Sequence, residues 1–249
     1  MTFRKVDYTS PIFLVVMDSV RHDQFQRART PNMDNGGFTN FSPAMSGATW
    51  TIPSVTNMMT GRLPFHNGQE QIFGDRYWLP QYFHEMGVST HYIAAVGIPT
   101  HIIKYEWDTF HFPDRGYRDA EHLINKALDV IDNFPNPKMF FYLHFEDTHS
   151  PFECADNGKT DWRIDKIIEY NSGLIPPEIT EEYFEYLKKR QIECIEFMDK
   201  VLKPLIDMDS TMIITSDHGE NFGENPPRHF GHDVPPSQKL FEVPLLIRG

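Results

Sequence analysis

Residues 211–220 read Thr-Met-Ile-Ile-Thr-Ser-Asp-His-Gly-Glu. The apolar and β-branched run at the start of this stretch predicts a central strand of a sheet. Asp217 and His218 follow the strand directly, and Gly219 permits a sharp turn that lets both side chains reach one metal ion. A carboxylate beside an imidazole suits Mn²⁺, Zn²⁺ or Mg²⁺, and the imidazole favours the transition metals. The stretch therefore predicts a metal-binding turn at the end of a strand.

Further segments have the composition of strands, and helical patterns separate them. Strands are predicted at residues 11–17, 38–42, 88–96, 138–145 and 242–248, and helices at residues 79–86, 119–134 and 178–207, the last bent near its end by Pro204. Alternation of this kind indicates β-α-β units and a mostly parallel sheet. Residues 97–116 lack a clear periodicity and are predicted to form a long surface loop.

A second acidic residue follows a buried strand at Asp18. Ligands of open α/β sheets bind at the carboxyl ends of the strands, so this carboxylate is well placed for a metal ion. The alternative is that Asp18 caps the following segment. The residues alone leave both interpretations open.

The strand at residues 138–145 leads into Glu146-Asp147-Thr148-His149. Asp147 and His149 are two residues apart on a loop that follows a strand, so both can face one cavity. A histidine there can protonate a leaving group or bind a transferred anion near neutral pH. The alternative is a loop with an Asp-capped turn. His144 lies inside the strand, and we interpret it as a buried, hydrogen-bonded histidine rather than a ligand.

Residues 48–62 predict a turn that feeds a helix. Pro53 suits the first helical turn, and Gly61 ends the helix. The hydroxyls of Thr51 and Ser54 lie where a helix start leaves backbone N–H groups unpaired. Thr51 is therefore either a helix cap or a nucleophile in a field that favours anions.

Over residues 10–249, the chain resembles the sulfatases of the alkaline-phosphatase-like superfamily. Thr51-x-Pro53-Ser54 and Thr60-Gly61 resemble the nucleophile signature C-x-P-S-R followed by T-G, with Thr51 at the cysteine position and Val55 at the arginine position. The other matching motifs are Asp18-Ser19-x-Arg21-x-Asp23, the run from Leu143 to Phe152, Ser216-Asp217-His218-Gly219-Glu220, His229-Phe230-Gly231-His232 and the strand at 242–248.

The resemblance implies an α/β fold, namely an alkaline-phosphatase-like α/β/α sandwich with a central, mostly parallel sheet. It implies one catalytic domain over residues 1–249, either a compact version or one without the C-terminal part of the usual fold. A divalent metal ion (Mn, Zn, Mg or Ca) is expected to bind Asp18, Thr51, Asp217 and His218.

The resemblance also assigns chemical roles around Thr51, which would be the nucleophile. His149 would assist the leaving group, Asp147 would orient His149 or add a ligand, and His232 would contact the transferred group or a second metal ion. Threonine is not expected to become the formylglycine of sulfatases. The expected enzyme is therefore a metal-dependent hydrolase of phosphate mono- or diesters. The alternatives are a sulfuric ester hydrolase, a phosphotransferase and an inactive binding protein of the same fold.

The composition limits the partners and the compartment. The net charge of −12 argues against a nucleic-acid-binding surface. A small anionic ester remains suitable as a substrate because a bound metal ion can reverse the sign of a site. Neither a signal peptide nor a segment of membrane-span length is visible, which predicts a cytoplasmic protein. Cys154 and Cys194 allow at most one disulfide, and we expect a reduced compartment. The oligomeric state is not predicted.

Overall fold

The centre of the fold is a seven-stranded sheet in the part of the chain that the structure describes. This computed structural model describes residues 9–63, 65–66, 69–70, 78–95, 107–112, 119–152, 154, 180–224, 229–232 and 236–249. The strand order is β2 (Thr39–Asn40), β13 (Leu245–Arg248), β9 (Thr211–Thr215), β1 (Ile12–Met17), β8 (Met139–Phe145), β6 (Ser89–Ala94) and β7 (Thr109–His111). The five strands from β9 to β7 run parallel, and β13 runs antiparallel to β9 and β2.

Short strand pairs and helices surround this sheet. The pairs are β3 (Ala44–Met45) with β12 (Glu242–Val243), β4 (Phe65–His66) with β5 (Gln69–Glu70), and β10 (Asn221–Phe222) with β11 (Phe230–Gly231). The helices are α1 (His22–Phe25), α2 (Pro31–Asn35), α3 (Thr51–Thr60), α4 (Leu79–Glu85), α5 (Ala120–Asn133), α6 (Glu181–Val201), α7 (Lys203–Ile206) and α8 (Gln238–Phe241).

Alternating side chains of β1 enter two separate apolar cores. Phe13, Val15 and Met17 pack in a core with residues of α5 and α6. Ile12, Leu14 and Val16 pack in a second core with residues of α3 and α4. Because successive side chains of a strand point to opposite faces, the sheet has a helical layer on each face. The predicted α/β/α sandwich with a mostly parallel sheet is confirmed.

The predicted strands at 11–17, 88–96, 138–145 and 211–216 form the middle of the sheet as β1, β6, β8 and β9. Four predictions need correction. The predicted strand at 242–248 is divided at Pro244 into β12 and β13, which lie in different sheets. The predicted loop at 97–116 contains the edge strand β7, which is too short to show a periodicity. The predicted strand at 38–42 is only β2, and β3 follows it after Pro43, which cannot donate a ladder hydrogen bond. The predicted helix at 178–207 ends at Val201, and α7 begins anew at Lys203, with Pro204 in its first turn.

The two cysteines are joined. A disulfide connects Cys154, after β8, to Cys194 in α6, with 5.6 Å between their Cα atoms. The pairing runs against the reduced compartment that we expected, because disulfides persist in oxidising environments. Nothing in the sequence marks this contact, because 40 positions separate the two residues.

Within the described residues, every helix falls short of the length or the apolar character that crossing a lipid bilayer requires.

Candidate active site

The carboxyl ends of β1, β8 and β9 lie side by side and carry most of the predicted site. Val16 of β1 is in register with His144 of β8 and with Thr215 of β9. The residues that follow these strands therefore meet at one edge of the sheet, as expected for a parallel arrangement. Asp18 is 1% exposed there, and its backbone N–H donates to the Phe145 carbonyl oxygen at 3.0 Å.

The turn after β9 fixes which nitrogen of His218 faces the site. Asp217 Oδ1 accepts hydrogen bonds from the backbone N–H groups of Ser19 (3.2 Å) and His218 (3.0 Å). His218 Nδ1 lies 2.8 Å from the Gly219 carbonyl oxygen, which can only accept. Nδ1 therefore carries a proton, and a lone pair can be presented only at Nε2. That lone pair suits a metal ion or a hydroxyl proton.

The hydroxyl of Thr51 lies against this lone pair. Thr51 is the first residue of α3, and its Oγ1 is 3.2 Å from His218 Nε2. The cap position is occupied by Trp50, and no side chain caps the helix there. Ser54 donates to the Ala48 carbonyl oxygen instead of receiving a backbone N–H. The helix-cap interpretation of Thr51 is therefore wrong, and its hydroxyl is available to the site.

The donor set around Asp18 and Asp217 fits a divalent cation. His218 Nε2 is 3.4 Å from Asp217 Oδ2 and 3.7 Å from Asp18 Oδ1. Asp217 Oδ2 is buried and has no hydrogen-bond partner among the described residues. Two carboxylates packed this closely need a positive charge between them, and a carboxylate–imidazole–hydroxyl set suits Mg²⁺, Mn²⁺ or Zn²⁺.

A buried histidine, His144, completes the surroundings of the carboxylates. Its Nε2 lies 3.2 Å from Asp18 Oδ2 and 3.9 Å from Asp217 Oδ2. Burial alone would raise the pKa of Asp18, but the hydrogen bond with His144 and the nearby imidazoles hold that pKa well below its usual range. Burial alone would lower the pKa of His144, but the hydrogen bond to Asp18 and the neighbouring carboxylates raise it. Asp18 is therefore ionised, as a metal ligand must be.

A second cluster of ionisable side chains adjoins the first. It consists of His149, Glu220 and His232, whose ligand atoms lie within 4.8 Å of one another. The His232 ring centroid is 4.5 Å from that of His218 and 5.2 Å from that of His149. His149 Nδ1 donates to the Ser150 carbonyl oxygen at 2.6 Å, which leaves its Nε2 as an acceptor or ligand. His149 and His232 thus lie together, and His232 lies beside His218, which contacts Thr51.

Asp147, on the same loop as His149, contacts a neighbouring helix. It is 1% exposed, and its Oδ1 accepts a hydrogen bond from the Ala120 backbone N–H, at the start of α5. The orientation of His149 comes from its neighbour Ser150. Thr148, which stands where the sulfatase motif has proline, donates its hydroxyl to the Asp18 carbonyl oxygen at 2.7 Å. The loop after β8 is thereby held to the loop after β1.

Arg21 ties the turn after β9 to the start of α1. Its side chain is 2% exposed and binds Asp23 through Nε (2.8 Å) and Nη2 (2.7 Å). Its Nη1 donates to the Glu220 carbonyl oxygen at 3.3 Å and also pairs with Glu224. This buried guanidinium is hydrogen-bonded on several sides, as a desolvated charge requires.

Comparison with known proteins agrees with this geometry. The model of the sulfatase family matches residues 10–249. The chain belongs to the sulfatase family. This sulfatase-family chain is 26% identical over 248 residues to the low-salt glycan biosynthesis sulfotransferase Agl7 of Haloferax volcanii, covering 96% of the chain and 54% of that protein. The chain therefore spans about half the length of this relative.

Solved structures share the fold of this sulfatase-family chain. The C-terminal periplasmic domain of EcEptC from Escherichia coli, in complex with Zn, has a TM-score of 0.72 at 18% identity, covering 98% of the chain and 74% of that domain. The phosphonate monoester hydrolase of Agrobacterium radiobacter has a TM-score of 0.70 at 15% identity, covering 96% of the chain and 68% of that protein. The soluble domain of lipooligosaccharide phosphoethanolamine transferase A from Neisseria meningitidis has a TM-score of 0.69 at 18% identity, covering 96% of the chain and 75% of that domain. The periplasmic neighbour leaves the cytoplasmic prediction without confirmation.

The departures from the sulfatase motifs have clear structural positions. Val55, at the arginine position, is 1% exposed and packs in the core with α4 and the sheet. The sequence patterns assigned no role to Glu220, which is fully buried with Oε2 unpartnered among the described residues. They indicated only a buried histidine at His144. Glu220 and His144 could have been singled out by their places in the motifs at 216–220 and 143–152. Their contacts, however, depend on the strand register, which the motifs do not give.

Proposed function

We propose that this protein is a metal-dependent hydrolase that cleaves a phosphate mono- or diester through Thr51. The observation that carries the proposal is the position of the Thr51 hydroxyl. It lies at the first residue of α3, 3.2 Å from His218 Nε2, and beside two buried carboxylates. A hydroxyl that only capped the helix would have no reason to face these groups. A helix N-terminus also favours the negative charge of the transferred group.

Asp18, Thr51, Asp217 and His218 would hold the metal ion. When bound, a divalent ion lowers the pKa of a contacting hydroxyl and neutralises charge on the transferred group. Two observations support this ligand set: Asp217 Oδ2 has no hydrogen-bond partner in the described part of the chain, and Nε2 is the nitrogen at which His218 can present a lone pair. Zn²⁺ and Mn²⁺ come before Mg²⁺ and Ca²⁺ because an imidazole is among the ligands.

The Thr51 hydroxyl would lose its proton to solvent, Oγ1 would attack the phosphorus atom in line, and the bond to the leaving oxygen would break. His149 is the candidate that protonates the leaving oxygen. Its Nδ1 is held by the Ser150 carbonyl oxygen, so the charged ring would give its proton from Nε2, and the ring lies beside that of His232. His232 would contact the transferred group or, with Glu220 and His149, a second cation. Asp147 would support the loop that carries His149. Water then cleaves the phosphothreonine, and residues 1–249 act as one catalytic domain.

A second candidate is group transfer to an acceptor alcohol instead of water. The relative named as a sulfotransferase and the neighbour named as a phosphoethanolamine transferase favour it. The first chemical step is shared, so only the acceptor differs. A transferred sulfuryl group is also compatible with a tetrahedral anion site.

The test measures purified protein with p-nitrophenyl phosphate, bis(p-nitrophenyl) phosphate and p-nitrophenyl sulfate, each with Zn²⁺, Mn²⁺, Mg²⁺ or Ca²⁺. Thr51→Ala should reduce turnover to the background. The matched control is Thr60→Ala, which removes the same hydroxyl at the other end of α3, where it donates to the Thr56 carbonyl oxygen. Peptide mass spectrometry after acid quenching should find the phosphoryl group on Thr51.

Addition of glycerol distinguishes the two candidates. With p-nitrophenyl phosphate as the substrate, a hydrolase releases phosphate and nitrophenol in equal amounts at every glycerol concentration, whereas a transferase releases more nitrophenol than phosphate. Preferred turnover of the aryl sulfate would redirect the proposal to sulfate esters. Equal and poor turnover by wild type and Thr51→Ala on all three substrates would refute the nucleophile.

A further inference from the structure

The metal-binding carboxylates touch a buried pair of side chains that the proposed reaction does not use. Tyr142 and His144 both lie on β8 and are fully buried. The Tyr142 hydroxyl is 2.7 Å from His144 Nδ1, and His144 Nε2 is 3.2 Å from Asp18 Oδ2. His144 could therefore either bind the metal ion through Nε2 or hold Asp18 in place through an N–H at the same atom.

The hydrogen-bond requirements of Tyr142 distinguish these roles. Its O–H is a donor, and among the described residues its partner is His144 Nδ1. If the hydroxyl donates its proton to Nδ1, the neutral ring carries its own proton on Nε2. An imidazolium also carries a proton there. His144 offers a lone pair at Nε2 only in the tautomer that carries its proton on Nδ1. In that tautomer, Nδ1 cannot accept the proton of the Tyr142 hydroxyl. A buried hydroxyl proton without an acceptor is costly in a dry interior.

We infer that Tyr142 and His144 form a positioning relay in which Tyr142 O–H holds His144 so that its Nε2–H holds the Asp18 carboxylate. This inference rests on the metal site of the proposed function. His144 is then an outer-layer partner and not a ligand, although its Nε2 lies close enough to both aspartates to be taken for one. Partners of this kind orient the ligand and typically change metal affinity by about 10–100-fold when removed.

His218 provides the contrast within the same site. Its Nδ1 faces a carbonyl oxygen and must donate, so its Nε2 is the lone-pair nitrogen. The Nδ1 of His144 faces a hydroxyl that has a proton to give. Two histidines that approach the same carboxylates are thus set in opposite tautomers by their second nitrogens. One is prepared to bind a cation and the other to donate to a ligand.

The test compares Zn²⁺ and Mn²⁺ affinities, measured by calorimetry, for wild type, His144→Gln, His144→Ala and Tyr142→Phe. Glutamine keeps an N–H donor near the position of Nε2 but offers no nitrogen lone pair. We expect His144→Gln to stay within about threefold of wild type, and His144→Ala and Tyr142→Phe to lose about 10–100-fold. An equal loss in His144→Gln and His144→Ala would overturn the relay. Circular dichroism and thermal unfolding check that each variant folds.

Nitrogen-15 NMR of Zn²⁺-loaded wild type tests the inference without any substitution. A one-bond coupling between a proton and His144 Nε2 is expected, whereas His218 Nε2 should show none. A metal-coordinated His144 Nε2 would refute the relay. Failure of wild type to bind either metal would refute the proposed metal site itself, and the calorimetry separates that outcome from failure of the relay.

Discussion

Reduction of the disulfide should lower the stability of the fold without changing its native packing. The disulfide joins Cys154, after β8, to Cys194 in α6. Cys194 is fully buried in a core with Phe152, Phe184 and other aromatic residues. Reduction leaves both sulfur atoms in place, so no cavity forms, and these apolar contacts keep the segment attached. The effect should therefore fall on the unfolded chain, which loses a cross-link.

The magnitude follows from the length of the closed loop. The sequence separation is 40, and a cross-link over about 40 residues removes about 13 cal/mol/K of chain entropy, or about 4 kcal/mol at 25 °C. The assay is urea unfolding of metal-free protein with and without dithiothreitol, with free thiols counted in each sample. We expect a lower free energy of unfolding and a larger m-value after reduction, because the unfolded chain expands.

The double variant Cys154→Ala/Cys194→Ala is the control, since reductant should no longer change its unfolding curve. An unchanged free energy of unfolding in wild type with two titrated thiols would refute the loop-entropy reasoning. Two free thiols in protein purified without reductant would refute the pairing itself.

Three further substitutions test individual contacts. Arg21→Met should lower the free energy of unfolding, measured in urea, by about 3 kcal/mol. This value is at the lower end for a broken buried ion pair because the acidic partners of Arg21 are partly exposed. The control Arg62→Met, at an exposed site, should lower it by less than about 0.5 kcal/mol. Burial lowers the pKa of His91 to about 4, so between pH 6.5 and 4 only the unfolded state gains this proton, and stability should fall by up to about 3 kcal/mol. His91→Asn should flatten that part of a stability–pH curve, and an unchanged curve would contradict the reasoning. Gly219→Ala places a Cβ 1.9 Å from the Lys239 carbonyl oxygen, so the turn after β9 must shift. We therefore expect weaker Zn²⁺ binding, measured by calorimetry. Wild-type affinity would contradict this expectation and show that the turn tolerates the shift.

The sequence predicted the middle of the fold because its signals are local. Apolar runs of strand length at β1, β6, β8 and β9 need no partner to be recognised, and parallel strands bring their carboxyl ends to one edge. The same rule predicted that Asp18 and Asp217 would meet. The edge strand β7 was missed because three residues carry no measurable periodicity. The pairing of Cys154 with Cys194 depends on a tertiary contact, which local patterns do not contain.

The roles of buried polar residues depend on register, which the sequence does not contain. His144 faces Asp18 only because β8 pairs with β1 with Val16 opposite His144. A shift of one residue would turn the imidazole to the other face of the sheet. Glu220 is likewise defined by its approach to His232, 12 positions away on a separate loop. Sequence motifs placed these residues near the site but could not say which atoms they contact.

Two carboxylates of the candidate site differ from the buried His91 in how their hydrogen-bonding atoms are satisfied among the described residues. His91 is as deeply buried as His218, yet hydroxyls of Ser89 and Thr109 bind both of its nitrogens. By contrast, Asp217 Oδ2 and Glu220 Oε2 are buried without a partner among the described residues. A buried, unpaired carboxylate oxygen destabilises a fold unless a charge or a donor meets it. Asp217 Oδ2 lies 3.4 Å from His218 Nε2, and the other oxygen of Glu220, Oε1, lies 3.3 Å from His232 Nδ1. Under the proposed function, the cation at the first cluster would meet Asp217 Oδ2. Glu220 Oε2 would need a second cation or a proton, because the negative charge of an anionic ester cannot compensate that of a carboxylate.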